Sequence, residues 1–241
     1  MIPDAARIWV LIPVKRFDQA KQRLSTVLSV QERAELARTM FWDVLRAAAD
    51  VPELAGIAVI TNDPTAAVMA QGFGARVFHD PDCDGTNAAV ESGTTRLREA
   101  NADAVLVVPS DIPLVQPSDF RACLLARQYA SIVLAPASFD GGTNMLLQDC
   151  RAAIRPAFGH DSFASHLAAA RAAQLSTAIV LRARIGFDID RPCDLESLLG
   201  KADKCATQGL LRRFARRRPP SLTALAPLSP APAQCNERHV T

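Results

Sequence analysis

Short apolar runs alternate with longer amphipathic stretches along most of this chain. Residues 7–13, RIWVLIP, predict a first strand. In residues 29–50, Leu36, Met40, Val44 and Ala47 fall on one stripe at helical spacing, and Ser29 with Glu32 makes an S-x-x-E capping box at the start. Further strands are predicted at 56–63, 75–80, 103–111, 131–138, 143–148 and 176–184. Helices are predicted at 86–100, 117–128 and 162–173, and Pro192 suits the first position of another. Near-continuous apolar strands interleaved with helices predict a three-layer α/β fold, in one large domain or two small ones at most. Its sheet is mostly parallel and covered on both faces. Ligands of such sheets sit beyond the carboxyl ends of the strands, which makes strand-end residues the ones to weigh.

After about residue 203 the pattern decays. The last 26 residues hold five of the sixteen prolines. The expected division is therefore a folded domain over 1–202 and a Pro/Arg-rich tail over 203–241 that reads as disordered, with one helix through Leu210, Leu211 and Phe214 open before it. The net charge of +2 hides an asymmetry: Arg212, Arg213, Arg216, Arg217, Arg218 and Arg238 all follow residue 210, so the body is slightly acidic. That balance argues against nucleic acid as a partner. Six cysteines without a C-x-x-C pair argue against a zinc site or a disulfide framework. Asp4 and Arg7 interrupt the N-terminus, and no apolar run approaches a membrane span, so the chain reads as cytoplasmic with no membrane partner.

Four groups of strand-end residues carry candidate chemistry. Lys15, Arg16, Lys21 and Arg23 crowd the stretch after strand one, without the glycines of a Walker loop. Such a stretch is either a solvated loop or a phosphate clamp. Asp111 ends a buried strand, and Pro113 and Pro117 place the next helix too far on for it to cap. Asp188 and Asp190 flank one residue, so in extended chain both face the same side. Two such carboxylates repel unless a cation joins them, and three hard oxygen donors suit magnesium better than zinc. Around Gly141–Thr143 and Gly159–Ser162, small residues, hydroxyls and free amides suit a small anion, though an ordinary turn and helix cap are the alternatives. Asn87 either caps a helix or reads a base edge, and His166 reads as a packed or capping histidine.

In order along the chain, IPVK, AKQRLS, VITND, GTNAAV, VLVVPSDIPL, GGTNMLL, FGHDSFASHLAAA and FDIDRPCDL resemble the 2-phospholactate guanylyltransferase family of coenzyme F-420 biosynthesis, over about residues 8–199. That family is similar to the molybdenum-cofactor guanylyltransferases. The resemblance implies a single three-layer α/β domain with a mostly parallel mixed sheet, the nucleotide-diphospho-sugar transferase fold, and transfer of GMP from GTP to a three-carbon phosphoacid, with release of pyrophosphate. The acids across the family are 2-phospholactate, phosphoenolpyruvate and 3-phosphoglycerate. It implies magnesium on Asp111, Asp188 and Asp190, and the phosphoacid on Thr143, Gly159 and Ser162. It places Pro13, Val14, Lys15, Lys21, Arg23 and Asn87 against GTP, with Lys15, Lys21, Arg23 and Asp111 serving catalysis. This chain has Gly85-Thr86-Asn87 where the family has G-L-N, and His160-Asp161 where it commonly has Pro-Gly. The choice of acid and a homodimer stay open. Two alternatives also stay open: another nucleotidyltransferase of the same fold, of molybdenum-cofactor or sugar-phosphate type, and a nucleotide-binding module without turnover.

Overall fold

The computed structural model describes residues 6–80 and 85–217. Seven strands form one sheet: β1 (Ile8–Val14), β2 (Gly56–Thr61), β3 (Arg76–His79), β4 (Ala104–Val107), β5 (Ile132–Pro136), β6 (Thr143–Asp149) and β7 (Thr177–Ile179). Their order is β3-β2-β1-β4-β6-β5-β7. β1 pairs in parallel with β2 and β4, as β2 does with β3 and β5 with β7. β6 alone runs antiparallel, against both β4 and β5. Its first residues therefore reach the edge where β1 and β4 end.

The helices are α1 (Val30–Ala49), α2 (Pro64–Gly72), α3 (Thr86–Glu99), α4 (Pro117–Ala126), α5 (Ser162–Ala172), α6 (Pro192–Gly200) and α7 (Ala206–Arg217). Side chains on β1 alternate between the two faces, as the period of two requires. Val10 and Ile12 pack with Phe41 and Val44 of α1, Ala66 of α2 and Phe120 of α4. Leu11 packs on the other face with Val90 and Leu97 of α3, and Ala170 of α5 belongs to the same cluster. A Cβ at Gly93 would lie 2.8 Å from Leu11 Cδ1, so glycine is what lets α3 approach β1 closely.

The capping box of α1 forms: Glu32 N–H donates to Ser29 Oγ at 3.2 Å and Ser29 N–H donates to Glu32 Oε2 at 2.8 Å. Helix α2 was not expected, although Asp63 caps it by accepting from Ala66 N–H and Pro64 starts it. The strands expected over 103–111 and 176–184 are shorter, ending at Val107 and Ile179. β7 is an edge strand paired only with β5, and Leu181 beyond it is exposed.

The fold also continues past the boundary expected at residue 202. Leu210, Leu211 and Phe214 of α7 are buried in a third cluster with Leu36 and Met40 of α1 and Leu198 of α6. The Asp43 carboxylate of α1 accepts from the backbone N–H groups of Ala206 and Thr207 and from the Thr207 hydroxyl, and so caps α7 from outside. The expected disordered tail otherwise falls on 218–241, outside the described residues. No helix among the described residues is long and apolar enough to cross a membrane.

Candidate active site

A cavity of about 590 Å³ opens where β1 and β4 end and β6 begins. That is the size of a small-molecule site. It lies beside β1, where the chain first winds outward through β2 to β3 and then crosses back to β4 on the other side, the place doubly wound sheets bind ligands.

The basic stretch reaches it by a folded path. After β1, Phe17 is buried against Phe41, and its N–H donates to Asp63 Oδ2 at 2.8 Å. Leu24 is buried in the third cluster. Between these anchors Lys21 takes the left-handed conformation at φ +54°. A non-glycine residue held there stores strain, typical of functional positions. Its ammonium lies 2.6 Å from Asp111 Oδ2 and 2.8 Å from Asp190 Oδ1. Burial disfavours that charge, but Asp111 and Asp190 more than offset it, and the pKa is raised. Arg23 Nη1 lies 3.3 Å from Asp190 Oδ2 with 74% of its side chain exposed. Lys15 is exposed and lines the cavity with Pro13 and Val14. Arg16 pairs with Asp18 and is not among the lining residues.

The three aspartates also meet the cavity. None serves as a helix cap. At α4, Gln116 N–H donates to Asp119 Oδ2, and at α6 the N–H groups of Asp190 and Arg191 donate to Asp194 Oδ2. Ile189 is fully buried between Asp188 and Asp190, and its N–H donates to the Asp111 carbonyl at 3.2 Å. Asp188 has a different partner: Asn144 Nδ2 donates to its Oδ1 at 3.2 Å and to the Ile185 carbonyl at 2.8 Å. Burial, Asp111 and Asp190 push the Asp188 carboxyl up to about 6. Asp190 is held below the usual carboxylate range, because Lys21 and Arg23 outweigh its burial. As donors, three hard oxygens with Asp188 short of positive charge fit a divalent cation. As arranged, they do not converge: among the described residues no three His, Cys, Asp or Glu side chains are grouped to hold a metal ion. Lys21 is the cation between Asp111 and Asp190.

Thr143, Gly159 and Ser162 line the same cavity. Several of the amides expected to be free there are already in use. Gly142 N–H donates to Asp140 Oδ1, Thr143 N–H to Ser162 Oγ, Ser162 N–H to the Gly159 carbonyl and Phe163 N–H to the Gly141 carbonyl. The Thr143 and Ser162 hydroxyls are part of what this region offers an anion. Gly159 sits at φ +136°, which L side chains rarely adopt.

Asn87 departs from its expected role. Its Oδ1 accepts from Phe158 N–H at 2.7 Å and its Nδ2 donates to the Phe158 carbonyl at 3.2 Å. An amide spent in this way is not free to read a base edge, and Asn87 is not among the lining residues, whereas Thr86 is. The sequence reading missed Asn144. Its signal was its place beside Thr143 at the start of a strand.

The family model described as guanylyl transferase CofC-like matches residues 8–223. The phosphoenolpyruvate guanylyltransferase of Conexibacter woesei is 34% identical over 218 residues, 88% of this chain and 98% of that protein. The 3-phospho-D-glycerate guanylyltransferase of Phenylobacterium zucineum is 38% identical over 178 residues, 73% of this chain and 82% of that protein. Among solved structures, one assigned as a nucleotide-diphospho-sugar transferase of Desulfovibrio desulfuricans aligns with a TM-score of 0.72 at 19% identity, over 88% of this chain and 96% of that one. The 4-diphosphocytidyl-2C-methyl-D-erythritol synthase of Anaerococcus prevotii aligns at 0.58 and 12%, over 87% and 98%. These two show the fold.

Proposed function

This chain belongs to the family of CofC-like guanylyl transferases, and from that premise we propose that it transfers GMP from GTP to a three-carbon phosphoacid, releasing pyrophosphate, in coenzyme F-420 biosynthesis. The observation that carries the reading is the single cavity that gathers Lys15, Lys21 and Arg23, Asp111, Asp188 and Asp190, and Thr143, Gly159 and Ser162. Separate stretches of chain converge there on the groups such a transfer needs.

A phosphate oxygen of the acid attacks the α-phosphorus of GTP, a new P–O bond forms, and the bond to the β-phosphate oxygen breaks with its electron pair leaving on pyrophosphate. The nucleophile is already an anion, so no general base is required. What the protein must supply is charge and position. Lys15, Lys21 and Arg23 meet the triphosphate and stabilise the departing pyrophosphate. Thr143 and Ser162 hold the acid through their hydroxyls, and the Gly159 turn gives it room. Asp111, Asp188 and Asp190 are the residues that would hold magnesium, which requires Lys21 to give up Asp111 and Asp190 for the triphosphate and the three carboxylates to draw together. When bound, that ion neutralises the reacting phosphates as a Lewis acid. Support for this set is its oxygen chemistry and the raised carboxyl of Asp188. We place the protein in the cytoplasm, which the free thiols of Cys123, Cys150, Cys193 and Cys205 support.

The test is pyrophosphate release with GTP and each of 2-phospholactate, phosphoenolpyruvate and 3-phospho-D-glycerate in parallel, followed by product mass. A product equal to acid plus GMP is expected with at least one acid. Release with none of them, or with CTP in place of GTP, overturns the reading.

A further inference from the structure

His166 is fully buried on α5, and both of its ring nitrogens are engaged. Nε2 accepts from Ala157 N–H at 2.9 Å, and Nδ1 lies 2.9 Å from Thr143 Oγ1. A backbone N–H can only donate, so Nε2 carries no proton and the ring proton sits on Nδ1. Nδ1–H then donates to Thr143 Oγ1. The hydroxyl proton of Thr143 is left to point elsewhere, and Thr143 lines the cavity. Phe158 meets the ring edge-on at 5.0 Å between centroids, and the Asn87 amide clasps both backbone groups of Phe158. Ala157 and Phe158 lead directly into Gly159.

We infer that His166 is a positioning residue of the acceptor site: one ring turns the Thr143 hydroxyl proton toward the phosphoacid and, through Ala157, fixes the loop that presents Gly159. The inference rests on the reading that Thr143, Gly159 and Ser162 hold the acid. A doubly protonated ring could not do this, because Ala157 N–H would face a second donor. Burial opposes that form and pushes the imidazole down to about 4. Metal-bound histidines are oriented by comparable outer partners, and here the relation is reversed: the histidine orients the ligand-binding hydroxyl.

Two measurements test it. In the wild-type protein, imidazole nitrogen-15 shifts of His166 at neutral pH are expected to report the proton on Nδ1, with or without substrate. In kinetics, His166→Phe keeps a ring against Phe158 but removes both hydrogen bonds, while His166→Asn keeps a donor near the Nδ1 position. With phosphoenolpyruvate and 3-phospho-D-glycerate each varied at saturating GTP, His166→Phe is expected to raise the KM of the accepted acid about tenfold or more. Its KM for GTP should stay within about twofold, and His166→Asn should recover part of the loss. A proton on Nε2, an unchanged acid KM, or equal rises for acid and GTP would overturn the inference. Should the phenylalanine variant fail to fold, the asparagine variant and the wild-type tautomer decide. A wild type inactive with every acid sinks the functional reading instead, which separates the two failures.

Discussion

Lys21 neutralises Asp111 and Asp190, and this conflicts with the proposed role in which it meets a triphosphate in turnover. Replacing it leaves two half-buried carboxylates without their cation. Lys21→Ala is expected to raise the KM for GTP about tenfold or more and to affect the acid far less. Its melting temperature should also rise more on adding magnesium than that of the wild type does, because the ion then takes over an unmet charge. Equal magnesium responses would argue that the ammonium and the metal do not share ligands. Asp188→Asn should cut turnover by roughly 10²-fold or more at saturating magnesium, with the fold intact by circular dichroism.

Two residues contribute to the pH dependence of stability with opposite signs. His166 titrates near 6.5 unfolded and about 4 folded, so between those values the unfolded chain binds more protons and stability falls as pH drops. That loss is on the order of 3 kcal/mol by pH 4. Asp188 is raised from 3.8 to about 6, so the folded chain binds the proton first and stability rises as pH falls through the same window. In magnesium-free buffer, urea midpoints from pH 7 to 4 should therefore drop less steeply for His166→Asn than for the wild type, and more steeply for Asp188→Asn. Parallel curves for all three proteins would refute both assignments.

At the scale of elements, legibility followed locality. Helix α1 was readable because its cap and its stripe lie within the element itself, and Ser29→Ala should cost about 1 kcal/mol. The ends of β4 and β7 were not readable, since an apolar run does not reveal where its neighbour stops pairing. Helix α2 carried a readable Asp63-Pro64 start, but its short alanine-rich body shows little stripe. Helix α7 stayed an open possibility outside the expected domain: its face of Leu210, Leu211 and Phe214 was legible, but its cap, Asp43, comes from a helix far away in sequence. A chain ending at Lys204 loses three buried apolar side chains, Leu210, Leu211 and Phe214, worth roughly 1.5–3 kcal/mol each. That is comparable with the whole stability of a domain, about 5–15 kcal/mol. Such a truncation should lack a cooperative urea transition, whereas a chain ending at Arg217 should keep one.

Across the whole molecule, the sheet edge explains both what the sequence disclosed and what it hid. Strand-end aspartates and lysines stand out because a buried strand has no other use for them. Partnerships between distant residues leave no such mark: Asn87 with Phe158, Lys21 with Asp190, Asn144 with Asp188 and Thr143 with His166 exist only once the strands are in order. The same convergence gives the cavity a mixed field, the four carboxylates of Asp111, Asp140, Asp188 and Asp190 beside the three cations Lys15, Lys21 and Arg23. In the proposed reaction GTP brings about four negative charges, so it would be drawn to Lys15 and Arg23 and opposed by Asp111 and Asp188. A divalent ion removes the opposition. Calorimetric titration with a non-hydrolysable GTP analogue should therefore give an affinity at least about tenfold weaker in chelator than in magnesium. In Asp111→Asn, which carries less of the opposing charge, the gap between the two conditions should narrow. An affinity independent of magnesium in the wild type would mean that the carboxylates do not face the phosphates, and the clamp and the acids would then have to be assigned to separate tasks.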